Sequence, residues 1–364
     1  MRPLTTPLSV GIAIGAGTGP ELADVFERAA QTWAAERSSA VVFERCPHQF
    51  RTFSPIARGS VVDADRVMRE DADRYAAFLR SLHGRGSRIV FRTAFNAQSL
   101  YRVREELLAV KVDVLPTATG EILLVRDASQ GFYAGENLID EDEDVIRRVC
   151  TFRRATTDRV LDFAIREATA RYGSIAALDR AVVACKFHLL GPQFARWIAD
   201  YSRRSEVPFD LWQPDTTNRN LLRGELRGRV LIVGANEWAD VMHSDLMLRA
   251  GLGSQEECCS RVAYLEESVR GLAEVQTAHG SADDLSGKDV VNPVATLRAA
   301  ALALEYGGMV PGLMARVEHA IVEVTSRGCC TPDAGGISST TAVVDQVLAA
   351  VAAPAPSVVT ADTR

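Results

Sequence analysis

The chain has 364 residues, 47% of them hydrophobic, and because single cores stop growing near ~250 to 300 residues, two domains are expected. A net charge of −6, from 47 acidic against 41 basic side chains, is too mild and too evenly spread for a nucleic-acid footprint, which leaves small-molecule work. The opening MRPLTTPLSVGIAIGAGTG has an apolar run of only a few residues before its glycines. That is neither a signal-peptide core nor a membrane span, so no membrane association and a cytoplasmic location are expected.

In chain order, LSVGIAIGAGTGPELADVFERAAQTWAAE reads as an apolar strand, a glycine turn and an amphipathic helix. GSRIVFRTAF and EILLVRDA read as strands. RAVVACKFHLLGPQFARWIADYSRRS and RVLIVGANEWADVMHSDLMLRAG each read as a strand running into a helix. Strands alternating with helices predict an α/β architecture. No period of 20 to 50 residues repeats, and the tail AAPAPSVVTADTR is expected to fray. The seven cysteines lack the C-x-x-C spacing of a zinc site and are read as reduced, mostly packing, thiols.

GAGTGPE, Gly15 to Glu21, follows a strand and opens a helix; its G-x-G-x-G spacing leaves a nucleotide loop and a plain tight turn both open. A more specific segment is AHGSADDLSGKDVVNPVA, residues 278 to 295. A loop that wraps an adenosine needs glycines for close approach, a polar atom for the adenine edge and a carboxylate for the ribose hydroxyls. His279, Asp284 and Asn292 supply those atoms.

HGSA-x-D-x-x-GK-x-x-x-NP-x-A resembles the cofactor loop of the β-decarboxylating dehydrogenases, the family of isopropylmalate, isocitrate, homoisocitrate and tartrate dehydrogenases. Further stretches agree in the same order: GAGTGPE, LLVRDASQGFYAGE, FAIREA, NEWADVMHSD and CTPDAGGISSTT. The resemblance implies an isopropylmalate dehydrogenase-like two-domain fold with central mixed sheets flanked by helices. Residues 1–100 with 252–364 would form the NAD-binding large domain, and 101–251 an inserted dimerisation and substrate domain with an arm near 134–155. It also implies a homodimer with shared active sites.

The implied chemistry is oxidation of a malate-like 2-hydroxy acid, with hydride transfer to NAD and loss of carbon dioxide. Lys186 takes the place of the catalytic base and needs burial or a nearby cation to lower its pKa, and Tyr133 takes that of the proton donor. His279, Gly280, Ser281, Ala282, Asp284 and Asn292 would hold the cofactor. Asp284 would favour NAD over NADP by repelling a 2'-phosphate, with Asp283 adding charge to the same effect. Arg102 and Arg126 would grip substrate carboxylate; the family's third arginine falls on Val112, with Lys111 or Arg104 as substitutes. His188 is either a packed histidine or a group beside the nicotinamide or an unusual carboxylate.

For Mg2+ or Mn2+, Asp215 and Asp240 match two ligands, but the third position is Ser244. Asp245 is the nearest carboxylate and turns inward only through a π-bulge; His243 borders the same face. Cys185 before Lys186 and Gln276 before His279 are further departures. Together they point to an unusual substrate in a specialised biosynthetic pathway or, alternatively, to a non-catalytic or regulatory paralogue that retains nucleotide binding.

Overall fold

The structure is a computed structural model, and it describes residues 7–53, 56, 61–139, 144–249, 251 and 255–353. The tail beyond 353 and residues 140–143 of the expected arm lie outside the described residues.

Ten strands form one mixed sheet. In chain order its strands are β1 (Leu8–Gly15), β2 (Val41–Phe50), β3 (Ile89–Arg92), β4 (Ala109–Thr117) and β5 (Gly120–Asp127), then β8 (Arg180–Ala184), β9 (Phe209–Trp212), β10 (Gly228–Gly234), β11 (Cys259–Tyr264) and β12 (Ala273–Thr277). Their spatial order is β2-β1-β3-β12-β11-β4-β5-β10-β8-β9. The four strands at each end are parallel within their group, and two antiparallel strands, β11 and β4, join the groups. The parallel strands are apolar because helices cover both faces.

In the first half, α1 (Gly19–Ala35), α8 (Val294–Tyr306), α9 (Leu313–Ser326) and α10 (Thr340–Ala352) pack one face around Phe26, Trp33, Leu297 and Val317. The other face is covered by α2 (Val61–Gly84) and α3 (Ala97–Glu106) around Tyr75, Leu79 and Leu107. In the second half, α4 (Arg154–Tyr172) and α5 (Gly191–Ser205) cover one face; α6 (Pro214–Leu222) and α7 (Asn236–Arg249) cover the other. This is the α/β arrangement expected, with helices layered on a mixed sheet.

Within the expected arm, β6 (Glu136–Ile139) and β7 (Ile146–Val149) pair as a separate antiparallel ribbon. It leaves Leu138, Ile146 and Val149 exposed. All seven cysteines are free. Among the described residues no helix is long and apolar enough to cross a membrane.

Candidate active site

Cross-strand register places a band of polar side chains on one face of the sheet centre. Arg92 on β3, Glu274 and Gln276 on β12, Ser260 on β11, Lys111 and Asp113 on β4, and Arg126 on β5 lie on one face, because paired residues share a face and so do residues two apart. All seven are buried. Lys111 stands directly opposite Arg126. Val112 points to the other face, into the core under α4 and α5. The expected third arginine position is therefore turned away from the site, and Lys111 takes the inward place.

Arg126 is the hub of the first cluster. Its Nε donates to Asn236 Oδ1 at 2.8 Å, its Nη1 bonds the Asp240 carboxylate, and its Nη2 is buried without a partner. The guanidinium lies 5.5 Å from the centre of the Tyr133 ring, which packs 5.1 Å from the Tyr101 ring. Burial and then the Asp240 charge push the Tyr133 phenol up, so it keeps its proton at neutral pH, as a proton donor must. Burial would raise the Asp240 carboxyl, but Arg126 and then Lys111 outweigh it and hold it low.

Arg102 is placed elsewhere. Its Nη2 bonds Asp65 at 2.9 Å on the exposed side of α3. Two residues on, roughly 200° round the helix, Arg104 donates to Gln276 Oε1 at 3.1 Å and adds its charge to that of Lys111 on Asp240. Arg102 therefore points away from the polar band, and Arg104 points toward it. Gln276, which replaces a glutamate, serves as a neutral acceptor for both Arg104 and Arg92.

The second cluster lies past the C-terminal ends of β8 and β9. Lys186 Nζ is 3.5 Å from Asp215 Oδ1, and both side chains are largely exposed, at 52% and 73%. His188 is partnered by the Gln213 amide at 2.8 Å, an exposed contact rather than a packed one. Cys185 is buried, and burial pushes its thiol up to about 12, so it holds its proton and does not stand in for an ionisable histidine. Among the described residues no hydrogen bond, ion pair or ring contact joins this cluster to Arg126, Tyr133 and Asp240.

The loop from His279 to Asn292 leaves β12 and enters α8. Asn292 Oδ1 accepts from Val294 N at 3.0 Å, an Asx-type cap, and its amide bonds Asp333 at 3.0 Å. Ala282 sits in the left-handed region at φ +42. The turn at Gly15–Gly19 docks on this loop: Thr18 donates from N at 3.2 Å and from Oγ1 at 2.9 Å to Ser281 O, and Ser286 Oγ donates to Gly17 O at 2.8 Å. Of its two open readings, the turn is thus a support for the loop at 279–292. Asp283 does not stand beside Asp284 facing solvent; Thr52 Oγ1 donates to it at 2.8 Å and holds it against the turn.

These residues fit a dinucleotide. His279 Nε2 is buried with no partner, its imidazole held neutral by burial, and the exposed Asp284 carboxylate accepts no hydrogen bond among the described residues. The donor set for a divalent ion does not fit. The helix α7 is regular throughout, so Asp245 stays on its exposed side; Asp240 is tied to Arg126 and Asp215 to Lys186. No group of three or more His, Cys, Asp or Glu side chains suited to a metal occurs among the described residues. His243, the other neighbour on that helix, is buried 3.3 Å from Asp113 and faces away from solvent.

Residues 90–347 match the family model described as isocitrate/isopropylmalate dehydrogenase. The chain belongs to this family. A probable tartrate dehydrogenase/decarboxylase of Agrobacterium vitis is 30% identical over 238 residues, 63% of this chain and 63% of that protein. The chain thus matches just under two thirds of the length of those relatives. An isocitrate/homoisocitrate dehydrogenase of Pyrococcus horikoshii is 24% identical across 93% of this chain and 91% of its own. The fold is that of the isocitrate dehydrogenase from Methylococcus capsulatus, with a TM-score of 0.65 at 19% identity, covering 94% of this chain and 99% of that one. A β-decarboxylating dehydrogenase from Thermococcus kodakarensis superposes with a TM-score of 0.62 at 22% identity, over 94% and 96%.

Proposed function

We propose that this member of the isocitrate/isopropylmalate dehydrogenase family oxidises a malate-like 2-hydroxy acid and releases its 3-carboxylate as carbon dioxide. NAD, when bound along residues 279–292, supplies the hydride acceptor. Asp284 is free to accept from the adenosine ribose hydroxyls and excludes a 2'-phosphate.

One observation carries the reading. The side chains expected in one site divide into two groups, Arg126–Tyr133–Asp240 and Lys186–Asp215, and each holds together within the chain. Such a division suits a homodimer in which each site takes one group from each protomer. The exposed apolar side chains Leu222, Val241 and Leu248 on α6 and α7, and those of the β6–β7 ribbon, suit the contact. The expected division into domains at 1–100 with 252–364 and at 101–251, and a cytoplasmic location, belong to the same proposal.

In such a site Lys186 of one protomer faces the Arg126 cluster of the other across the bound acid. Lys186 is the group placed to take the hydroxyl proton. Arg126, with its free Nη2, and Arg104 hold carboxylate oxygens by paired hydrogen bonds. Tyr133 delivers its proton to the carbon that loses the carboxylate. The second reading, a paralogue that binds nucleotide without turnover, draws on Ser244 standing where a carboxylate is expected.

Following NADH absorbance across a panel of 2-hydroxy-3-carboxy acids, with phosphono and amino analogues, tests the proposal. Reduction with at least one acid is expected, and silence with all of them alongside measurable NAD binding selects the paralogue. Mixing Lys186→Ala with Asp240→Asn protein should restore part of the activity through one intact hybrid site. No recovery despite proven subunit exchange removes the shared-site arrangement.

A further inference from the structure

The polar band contains a cation that the reaction outlined above does not use. Lys111 is 6% exposed, and its ammonium makes no hydrogen bond or ion pair among the described residues. Burial disfavours its charge, as do Arg126 and Arg104, while Asp113 and Asp240 favour it. A largely buried lysine whose ammonium no protein acceptor bonds favours an oxygen brought in by a ligand. Lys111 lies beside Arg126 on the site face, next to Asp240, the α7 carboxylate of the expected metal set.

The same place is unsuited to a divalent ion. One turn beyond Asp240 the side chain is Ser244, Asp245 is exposed, and His243 is paired with Asp113. Asp240 already faces Arg126, Lys111 and Arg104. A dication beside Asp240 meets the repulsion of these three cations with no second carboxylate turned inward from α7 to offset it. The deviation at Ser244 and the inward lysine at 111 are complementary: one removes a carboxylate ligand and the other places a compact ammonium donor beside Asp240.

We propose that the Lys111 ammonium occupies the role of a divalent cation in this site, holding the substrate's C2 oxygen, so that the protein works without a metal. The proposal rests on the dehydrogenase reading above. Loss of the hydroxyl proton to Lys186 and of hydride from C2 to the pyridine dinucleotide leaves a C2 carbonyl. The bond from C3 to its carboxylate then breaks, its electron pair forms the C2–C3 double bond, and the carbonyl electrons move to oxygen. Lys111 Nζ donates a hydrogen bond to that enolate oxygen, and Tyr133 protonates C3. A fixed ammonium in a dry site supplies this stabilisation without reorganisation.

Mn2+ binding to the full-length protein, read by electron paramagnetic resonance with Mn2+ alone and with Mn2+ plus malate, tests the proposal whether or not a turnover substrate is known. Wild type should leave millimolar Mn2+ free. Ser244→Asp alone should also leave it free, because Lys111 remains. Lys111→Met combined with Ser244→Asp should bind at least about tenfold more tightly than either. Lys111→Met is close in volume, and thermal melts report whether each variant is folded. Saturable Mn2+ binding to wild type that Asp240→Asn abolishes would overturn the proposal. So would Ser244→Asp alone binding as tightly as the double variant, or a folded double variant that binds no better than wild type. Where an acid reduces NAD, the rate should be unchanged in excess EDTA. Silence of the whole acid panel counts against the dehydrogenase reading and leaves the Mn2+ titration as a separate result.

Discussion

Glu274 offers the sharpest test of the polar band's energetics. Its carboxylate is 2% exposed and accepts from Arg92 Nε at 3.0 Å, Tyr75 Oη at 2.6 Å and Tyr264 Oη at 2.5 Å. Replacing it with leucine leaves a buried guanidinium with its main counter-charge gone and two phenols without acceptors. Breaking a buried pair from one side destabilises by about 3 to 5 kcal/mol, and about 4 kcal/mol is expected for Glu274→Leu. Glutamine keeps an acceptor oxygen and the shape, so Glu274→Gln should lose about 2 kcal/mol. Removing both charges in Arg92→Met with Glu274→Leu should be less damaging than Glu274→Leu alone.

Urea unfolding at neutral pH measures all three. A loss below about 1 kcal/mol for Glu274→Leu, or strict additivity in the double variant, would refute the reasoning. The pH dependence adds a sign. Burial would raise the Glu274 carboxyl, but Arg92, Arg104 and the Tyr264 and Tyr75 hydroxyls outweigh it and hold it below the usual carboxylate range. A depressed carboxyl contributes stability that is fully present above its unfolded value, about 4.3, and is lost as pH falls through the folded one. Wild type and Glu274→Gln should therefore differ most near neutrality and converge in acid.

Arg104→Ala should lower turnover of any accepted hydroxy acid by about 100-fold or more, and Arg102→Ala by less than about twofold, because only Arg104 faces the site. Steady-state kinetics on the two variants decide it. Gly17→Ala should weaken NAD binding in a calorimetric titration: the backbone there has φ +68, and a Cβ would lie 2.4 Å from Asp283 Oδ1, forcing the docked loop outward. Asp284→Ser should shift the ratio of NADP to NAD affinity upward by about tenfold, and an unchanged ratio would remove that carboxylate from cofactor choice.

The elements that were legible in the sequence are those buried on both faces or strongly amphipathic. The strands Leu8–Gly15, Gly120–Asp127, Arg180–Ala184 and Gly228–Gly234 are near-continuous apolar runs, and α1, α5 and α7 are the next helices after the first, third and fourth of them. The central strands β4, β11 and β12 were not legible. In VKVDV and AEVQT the charged or amide side chains alternate with apolar ones, the pattern of a strand with one solvated face. Here that polar face is inside, and only the partners across the sheet explain it. For the same reason the sequence offers Lys111 only as a substitute for Val112: periodicity gives a residue's face but not what lies opposite.

Site residues carried on contiguous motifs, such as Arg126 with Tyr133 and His279 through Asn292, keep their mutual spacing in any alignment. Arg102 and Arg104 sit on one helix, where a two-residue offset reverses the side that a side chain faces. The link between Gly15–Gly19 and Ser281 joins segments more than 260 residues apart, and nothing local in either announces the other.

The two margins of the great sheet restrict how copies of this chain can meet. On one side β2 carries Glu44, Arg45 and Pro47, whose ring nitrogen has no hydrogen to offer; on the other β9 is only four residues long. Both margins resist the addition of a foreign strand. Growth by continuous backbone pairing, the route to fibrils and open-ended arrays, is closed off. Any self-association is left to side chains on the helical flank and the projecting ribbon, where the two-fold arrangement proposed above would end the assembly after one partner.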